Sequence, residues 1–215
     1  MIEIKKGREP GELIAYRKSK CASYEDMSSS VKKVVLDALM QEQGHLCAYC
    51  MRKIPQTDGA PPASIEHWAA QSNHSEKKRL DYRNVFAVCS GNRGCGCSQN
   101  MTCDASKGNQ VLTVNPTTPS TLIGIKYHSD GRIYSTNKAV NYDLNNVLNL
   151  NCKSIQLPNS RLKALLSLQK HIKKKCPTGN IQLYCKRIRD EILLERNQKL
   201  PFVGILLWWL GKKIE

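Results

Sequence analysis

Residues 42–50 read Glu42-Gln43-Gly44-His45-Leu46-Cys47-Ala48-Tyr49-Cys50, a helix-stopping glycine followed at once by two cysteines with two residues between them. Upstream, Ser28, Ser29 and Ser30 offer N-caps, and Val31, Val34, Val35, Ala38 and Leu39 recur at helical spacing. A helix therefore runs to about Gln43, and Gly44 takes the left-handed position that ends it. Two thiolates spaced this way on a tight turn can reach one tetrahedral zinc. A thioredoxin-like dithiol would need a βαβ context, which the sequence does not show.

Downstream, residues 51–64 read as loop, with Pro55, Gly59, Pro61 and Pro62, and Ser64 to Trp68 as a short extended piece. Residues 69–80 are polar and loop-like, Tyr82 to Cys89 turns apolar, and residues 90–102 are rich in Gly, Ser and Asn. Cys103 to Gly108 fits a short helix end. Val111–Val114 and Leu122–Tyr127 read as strands, and Ser129-Asp130-Gly131 as a hairpin turn into Arg132-Ile133-Tyr134. Helices follow over about 139–152, 159–175 and 181–198, and Pro201 opens a last short one.

The chain has 215 residues, 40% hydrophobic and 24% charged, which suits a globular domain and excludes a collagen-like or disordered protein. Its longest apolar run, Phe202–Leu210, is too short to span a membrane. Met1 to Lys6 is polar with no apolar stretch behind it, so a cytoplasmic location and no membrane partner are expected. In that reducing compartment ten cysteines point to metal ligands or buried thiols rather than disulfides. Net charge is +15, and residues 151–215 hold fourteen basic against four acidic groups. Such a block favours a polyanionic partner.

After the cysteine pair come Glu66-His67, Asn84, Cys89, and then Cys103-Asp104 with Lys107 three residues beyond the aspartate. Zinc needs two ligands besides Cys47 and Cys50. Cys89, Cys95, Cys97 and Cys103 all follow as candidates. Adjacent residues on a strand face opposite ways. Glu66 and His67 can share a pocket only if the chain bends there.

This order resembles the HNH endonucleases, ββα-metal nucleases pinned by a zinc knuckle, whose cysteine-bearing members read C-x-x-C, D/E-H, N, C and C-H-x-x-K. The stretches LIAYRKSK (13–20), EQGHLCAYC, IEHW, LDYRNVFAVC, CDASKGN and VLNLN (147–151), followed by Arg161, resemble one subgroup. It is the HNH family found with retrons and as PtuB, the nuclease subunit of Septu antiphage systems. The resemblance implies His67 as general base, Glu66 and Asp104 as ligands of a divalent ion (magnesium or manganese), and Asn84 as the brace of the histidine loop. It also implies structural zinc on Cys47, Cys50, Cys89 and Cys103. The family's last position is often histidine. Asp104 stands there instead, a hard oxygen ligand that implies an altered metal preference.

Outside this unit, Lys170, Lys173, Lys174, Lys175, Lys186, Arg187 and Arg189 form a basic cluster, read with Lys107 as nucleic-acid-contacting. Lys107 can equally serve as a helix cap. Phe202–Leu210, with Trp208 and Trp209, either docks on the chain's own core or anchors a partner. The resemblance implies an ABC-type ATPase partner and, in retron versions, a reverse transcriptase with its DNA–RNA product. The chain itself carries no phosphate-binding G-x-x-x-x-G-K-[ST] loop.

The expected fold is α+β, with a zinc-pinned ββα-metal finger over 44–110 between an N-terminal helical segment (1–43) and a basic helical region (139–215). A small β-hairpin lies between them at 111–138. The expected function is metal-dependent hydrolysis of phosphodiester bonds in DNA, as the effector of an antiphage complex. The alternatives are an RNA- or tRNA-cleaving nuclease and a zinc-stabilised binding module without catalysis.

Overall fold

The computed structural model describes residues 1–55, 63–70, 75–177, 179–195 and 198–215. Helix α1 (Gly11–Tyr16) precedes α2 (Ser29–Glu42), where the Ser28 side chain accepts the Val31 N–H as the capping pattern requires. Gly44 then turns at φ +64, against the Lys199 backbone and side chain, where a β-carbon would come within 2.6 Å of Lys199 Cγ. Strands β1 (Ala63–His67) and β2 (Val85–Cys89) pair antiparallel, with Ala63 opposite Cys89 and His67 opposite Val85. Between them lie α3 (Glu76–Arg79) and a tight turn at Tyr82–Asn84. Helix α4 (Cys103–Lys107) packs back on β2, so the chain order here is strand, strand, helix.

Helix α5 (Pro119–Leu122) leads to a second hairpin, β3 (Ile125–Tyr127) with β4 (Ile133–Ser135). Then come α6 (Lys138–Tyr142), a wider helical turn at Asp143–Val147, α7 (Leu157–Lys175), α8 (Ile181–Leu194) and α9 (Val203–Ile214). The fold is thus α+β, as expected, but several boundaries differ. No strand forms at 111–114, where Val114 is buried but its N–H, like that of Thr113, goes to the Asp143 carboxylate. The helix expected over 139–152 breaks after Val147. Asn149 turns with φ +47, and its amide caps the carbonyls of Gln99 and Met101. Helix α8 stops at Leu194, four residues short of the expected end. Of the loop expected at 51–64, residues 56–62 lie outside the described chain, as do 71–74 of the next.

One hydrophobic core draws on α2, both cysteine-bearing turns, β2, the second hairpin, α7 and α9. Burial at roughly 25 cal/mol per Å² makes this the dominant stabilising contribution. The apolar segment at 202–210 docks into it: Val203, Ile205, Leu206 and Leu210 are buried. Trp208 meets the Tyr127 ring edge-on at 5.7 Å. A smaller cluster of Ile172, Cys185 and Leu210 joins α7, α8 and α9. Arg161, fully buried, locks α7 to the hairpin by donating to the carbonyls of Gly131 and Leu150 and to Asn151 Oδ1. Among the described residues no helix is long and apolar enough to cross a membrane.

Candidate functional site

The two cysteine-bearing regions meet. Cys47 and Cys50 sit on the turn after α2, Cys89 ends β2 and Cys103 opens α4. The turn is closed by Cys47 N–H donating to Arg52 O and Ile54 N–H to His45 O. It is stitched to β2 by the buried Gln43, whose amide donates to Leu46 O and Ala87 O and accepts from Ala87 N–H. Cys103 is fixed by its N–H donating to Leu148 O.

The four sulfurs are buried and within 4.8 Å of one another, at 3.8 Å for Cys47–Cys103 and Cys50–Cys89 and 3.9 Å for Cys89–Cys103. Zinc–sulfur bonds of about 2.3 Å in a tetrahedron place sulfurs about 3.8 Å apart, so this cluster has the dimensions of a structural zinc site. A disulfide, at about 2.05 Å, does not describe it. Hydrogen bonds from Cys103, Cys47 and Cys50 hold the Cys89 thiol far below its usual range. Cys103, hydrogen-bonded to the same cluster and buried, is pushed well up. Four thiolates cannot coexist here without a cation. Cys95 and Cys97, left open by the sequence, lie outside the cluster; Cys95 is exposed, its thiol turned to Cys97 O at 3.0 Å. Their loop closes where Thr102 N–H meets Gly91 O. Gly91 has φ +59 and a β-carbon there would lie 2.1 Å from Thr102 O.

The same strand–strand–helix unit builds an open cleft of about 470 Å³ whose lining includes Glu66, His67, Arg79, Arg93, Asp104 and Lys107. The chain does bend after β1. His67 is its last residue, and the turn at 68–69 lets Glu66 and His67 reach one cleft. Asn84 holds that turn: its Oδ1 accepts Ala69 N–H, and its amide donates to Ala69 O and Lys78 O. The backbone of Trp68 adds a hydrogen bond to Asn84 O.

His67 Nε2 lies 2.8 Å from Arg79 O. A carbonyl only accepts, so Nε2 carries the proton and Nδ1 is the nitrogen that can take another. Burial lowers the His67 pKa, opposed by the Arg79 hydrogen bond and reinforced by the nearby Lys107 and Arg79 charges. The imidazole is thus neutral near pH 7. The Tyr24 ring packs edge-on at 4.4 Å and fixes its plane.

Glu66 is buried, and its Oε1 accepts from Lys107 Nζ at 2.6 Å and from Tyr49 OH at 3.3 Å. Its carboxyl is pushed up to about 8 by burial, then by the hydrogen-bonded Asp104 carboxyl, against the pull of Lys107. Asp104 in turn pairs with Arg93 at 2.5 Å. Two carboxyls crowded in one cleft form a hard-oxygen donor set that suits a magnesium-like ion.

Lys107, grouped in the sequence with phosphate-contacting residues, does not face solvent. It is 1% exposed, and its ammonium is taken by Glu66 and by His67 O at 2.9 Å. None of the other seven basic residues lines the cleft. Lys170, Lys173, Lys174 and Lys175 are exposed at the end of α7. Lys186 is exposed on α8, where Arg187 pairs with Glu191 and Arg189 with Asp190. No motif marks Arg79, Arg93, Tyr24 or Gln43, since each acts through the fold rather than through its sequence neighbours. His45 caps the knuckle turn with φ +60, and His128 stacks on Tyr134 at 4.3 Å. His74 lies outside the described residues.

The chain is 31% identical over 142 residues, 62% of its length, to a Vibrio cholerae serotype O1 biovar El Tor protein named "Retron Vc95 putative HNH endonuclease". The match covers 65% of that protein, so the chain spans less than two thirds of its relative's length. No family model matches the chain.

Proposed function

We propose that this chain is a divalent-metal-dependent endonuclease of the HNH type, acting on the phosphodiester bonds of nucleic acid. The observation that carries the proposal is the convergence of Glu66, His67 and Asp104 on one cleft. The unit that delivers them is closed by four buried cysteines. Similarity to a retron-named relative supports the same reading.

In this mechanism His67 Nδ1 takes the proton of the attacking water. Neutrality and the fixed tautomer suit it to that role. Asn84 and Tyr24 keep the ring in place, the one through the backbone turn and the other by packing. Glu66 and Asp104 would hold magnesium or manganese, which when bound draws off charge developing on the phosphate and leaving oxygens. Lys107 draws the Glu66 carboxyl toward its ionised form, against burial, and ties it to the strand end through His67 O. Arg93, 63% exposed and paired with Asp104, is the cation that reaches solvent at the mouth. Zinc on Cys47, Cys50, Cys89 and Cys103 is structural, because a closed set of four thiolates leaves no open position.

We further propose DNA as the substrate and antiphage defence as the setting, beside an ABC-type ATPase and with a reverse transcriptase and its DNA–RNA product as a further partner. These assignments rest on the sequence resemblance; the relative's name supports a link to retrons. The test compares wild type with His67→Ala on supercoiled plasmid and on structured RNA, with magnesium, manganese or EDTA, zinc content being measured before and after the chelator. Cleavage lost in the variant and in EDTA, with zinc retained in both, is the expected result. Equal cleavage by both proteins would remove His67 from the mechanism. Wild type silent on every nucleic acid, alone and with its ATPase partner added, would leave a binding module.

A further inference from the structure

Among the described residues, nothing covers one face of helix α8. Leu183, Lys186, Arg187, Asp190, Glu191 and Leu194 line a shallow groove of about 680 Å³, and Leu183 and Leu194 are 66% and 77% exposed. The two leucines give the groove apolar ends on either side of a charged middle. The other side of α8 is already satisfied, with Cys185 buried against Ile172 and Leu210.

The order of residues on that face selects the occupant. Leu183, Arg187, Asp190 and Leu194 follow one another at spacings of four, three and four, the spacing of a two-helix seam. The seam is symmetric in its apolar ends and antisymmetric in charge. Laid antiparallel on a second copy, about an axis between Ile188 and Arg189, it sets Leu183 against Leu194 at both ends. In the middle Arg187 meets Asp190 twice. A parallel arrangement would set Arg187 on Arg187 and Asp190 on Asp190.

Isologous interfaces require such self-complementarity. The face is also locally neutral, Lys186 and Arg187 offsetting Asp190 and Glu191, inside the most basic third of the chain. A polyphosphate would meet two carboxylates here, and a partner of one charge sign would gain nothing.

We propose that α8 is a homodimerisation helix, pairing antiparallel with α8 of a second copy. The present pairs, Arg187 with Glu191 exposed at 3.4 Å and Arg189 with Asp190 half-buried at 3.0 Å, both meet water and exchange for intermolecular ones. Fourteen residues give a helix about 21 Å long, so the buried surface falls below that of a standard interface. An interface this small makes a weak, transient dimer, sought from roughly 10 µM to several hundred µM.

Sedimentation of the full chain, free of nucleic acid and at about 0.2–0.3 M salt so that long-range repulsion between basic copies is screened, tests this. Wild type should shift from monomer to dimer over that concentration range. Leu183→Ala with Leu194→Ala should weaken the dimer at least about tenfold, with the unfolding temperature unchanged because both sites are exposed. Arg187→Asp alone and Asp190→Arg alone should each be monomeric. Mixing those two single variants, or combining them in one chain, should restore the dimer. Wild type monomeric to about 500 µM, a dimer indifferent to the leucine changes, or charge reversals that do not rescue one another would each overturn the proposal.

Discussion

The cleft and the C-terminal helices treat charge in opposite ways. In the cleft, Lys107 and Glu66 are 1% and 7% exposed and committed to each other at 2.6 Å. On α8, Arg187 and Glu191 are 64% and 58% exposed at 3.4 Å. The first pair fixes a position, because neither buried group can turn to water instead. The second fixes nothing, since water and salt compete for both groups. Charge count therefore points to the C-terminal third, while the buried ion pair lies within residues 63–107.

The contrast is broken most severely at the cysteines. Cys103→Ala should remove bound zinc and cost more than about 4 kcal/mol, unfolding the cleft region, since loss of a metal belongs to the largest class of single-site effects. Cys97→Ser, six positions away on the glycine-rich loop, should keep one zinc and stay within about 0.5 kcal/mol of wild type. Zinc stoichiometry and thermal unfolding measured together check both. Loss of zinc in the second variant would put Cys97 in the cluster.

Next in size is the buried pair itself. Lys107→Met should destabilise the chain by about 1–3 kcal/mol near pH 7, because the buried Glu66 carboxyl loses its donor at 2.6 Å and stays protonated. Arg93→Ala removes an ion pair from the same cleft yet should cost under about 1 kcal/mol, the guanidinium being mostly in water. Urea unfolding of the two variants side by side measures the difference. Equal losses would mean that burial is not what separates the pairs.

What could be read from the sequence follows from the range over which each signal acts. The cysteine spacing, the Gly44 stop and the Ser129-Asp130-Gly131 turn are local chemistry, and the structure places them where that chemistry directs. Val111–Val114 has the composition of a strand, but its amides are taken by Asp143, about thirty residues away, and no strand forms. Lys107 has the sequence context of a surface lysine at a helix end. Only the packing of α4 on β2 brings it to Glu66. Choosing Cys89 and Cys103 over Cys95 and Cys97 likewise depends on strand pairing and on Cys103 N–H meeting Leu148 O. Arg93 and Arg79 enter the cleft from loop and helix positions that no spacing rule marks.

Asn84→Ala probes the cleft at intermediate strength. It removes three hydrogen bonds around a buried turn and leaves the Ala69 and Lys78 carbonyls short of a donor. The cost should be about 1–3 kcal/mol. Cleavage should fall by more than the unfolded fraction accounts for, because the turn that carries His67 loosens. Cleavage falling only in proportion to unfolding would reduce Asn84 to a stabilising residue.

The gentlest change tests the other region. Replacing Lys173, Lys174 and Lys175 together by Glu alters exposed side chains at the end of α7 and should leave stability within about 1 kcal/mol. The helix C-terminus favours cations, so any destabilisation should be small and screened by salt. If this tip touches phosphate, affinity for a DNA duplex should drop most at low salt, and the slope of log affinity against log salt should shrink by about 1 for each phosphate no longer neutralised. An unchanged slope with unchanged affinity would make the lysines a solvated helix end, and recognition of nucleic acid would then fall to the cleft mouth, where Arg93 is the exposed cation.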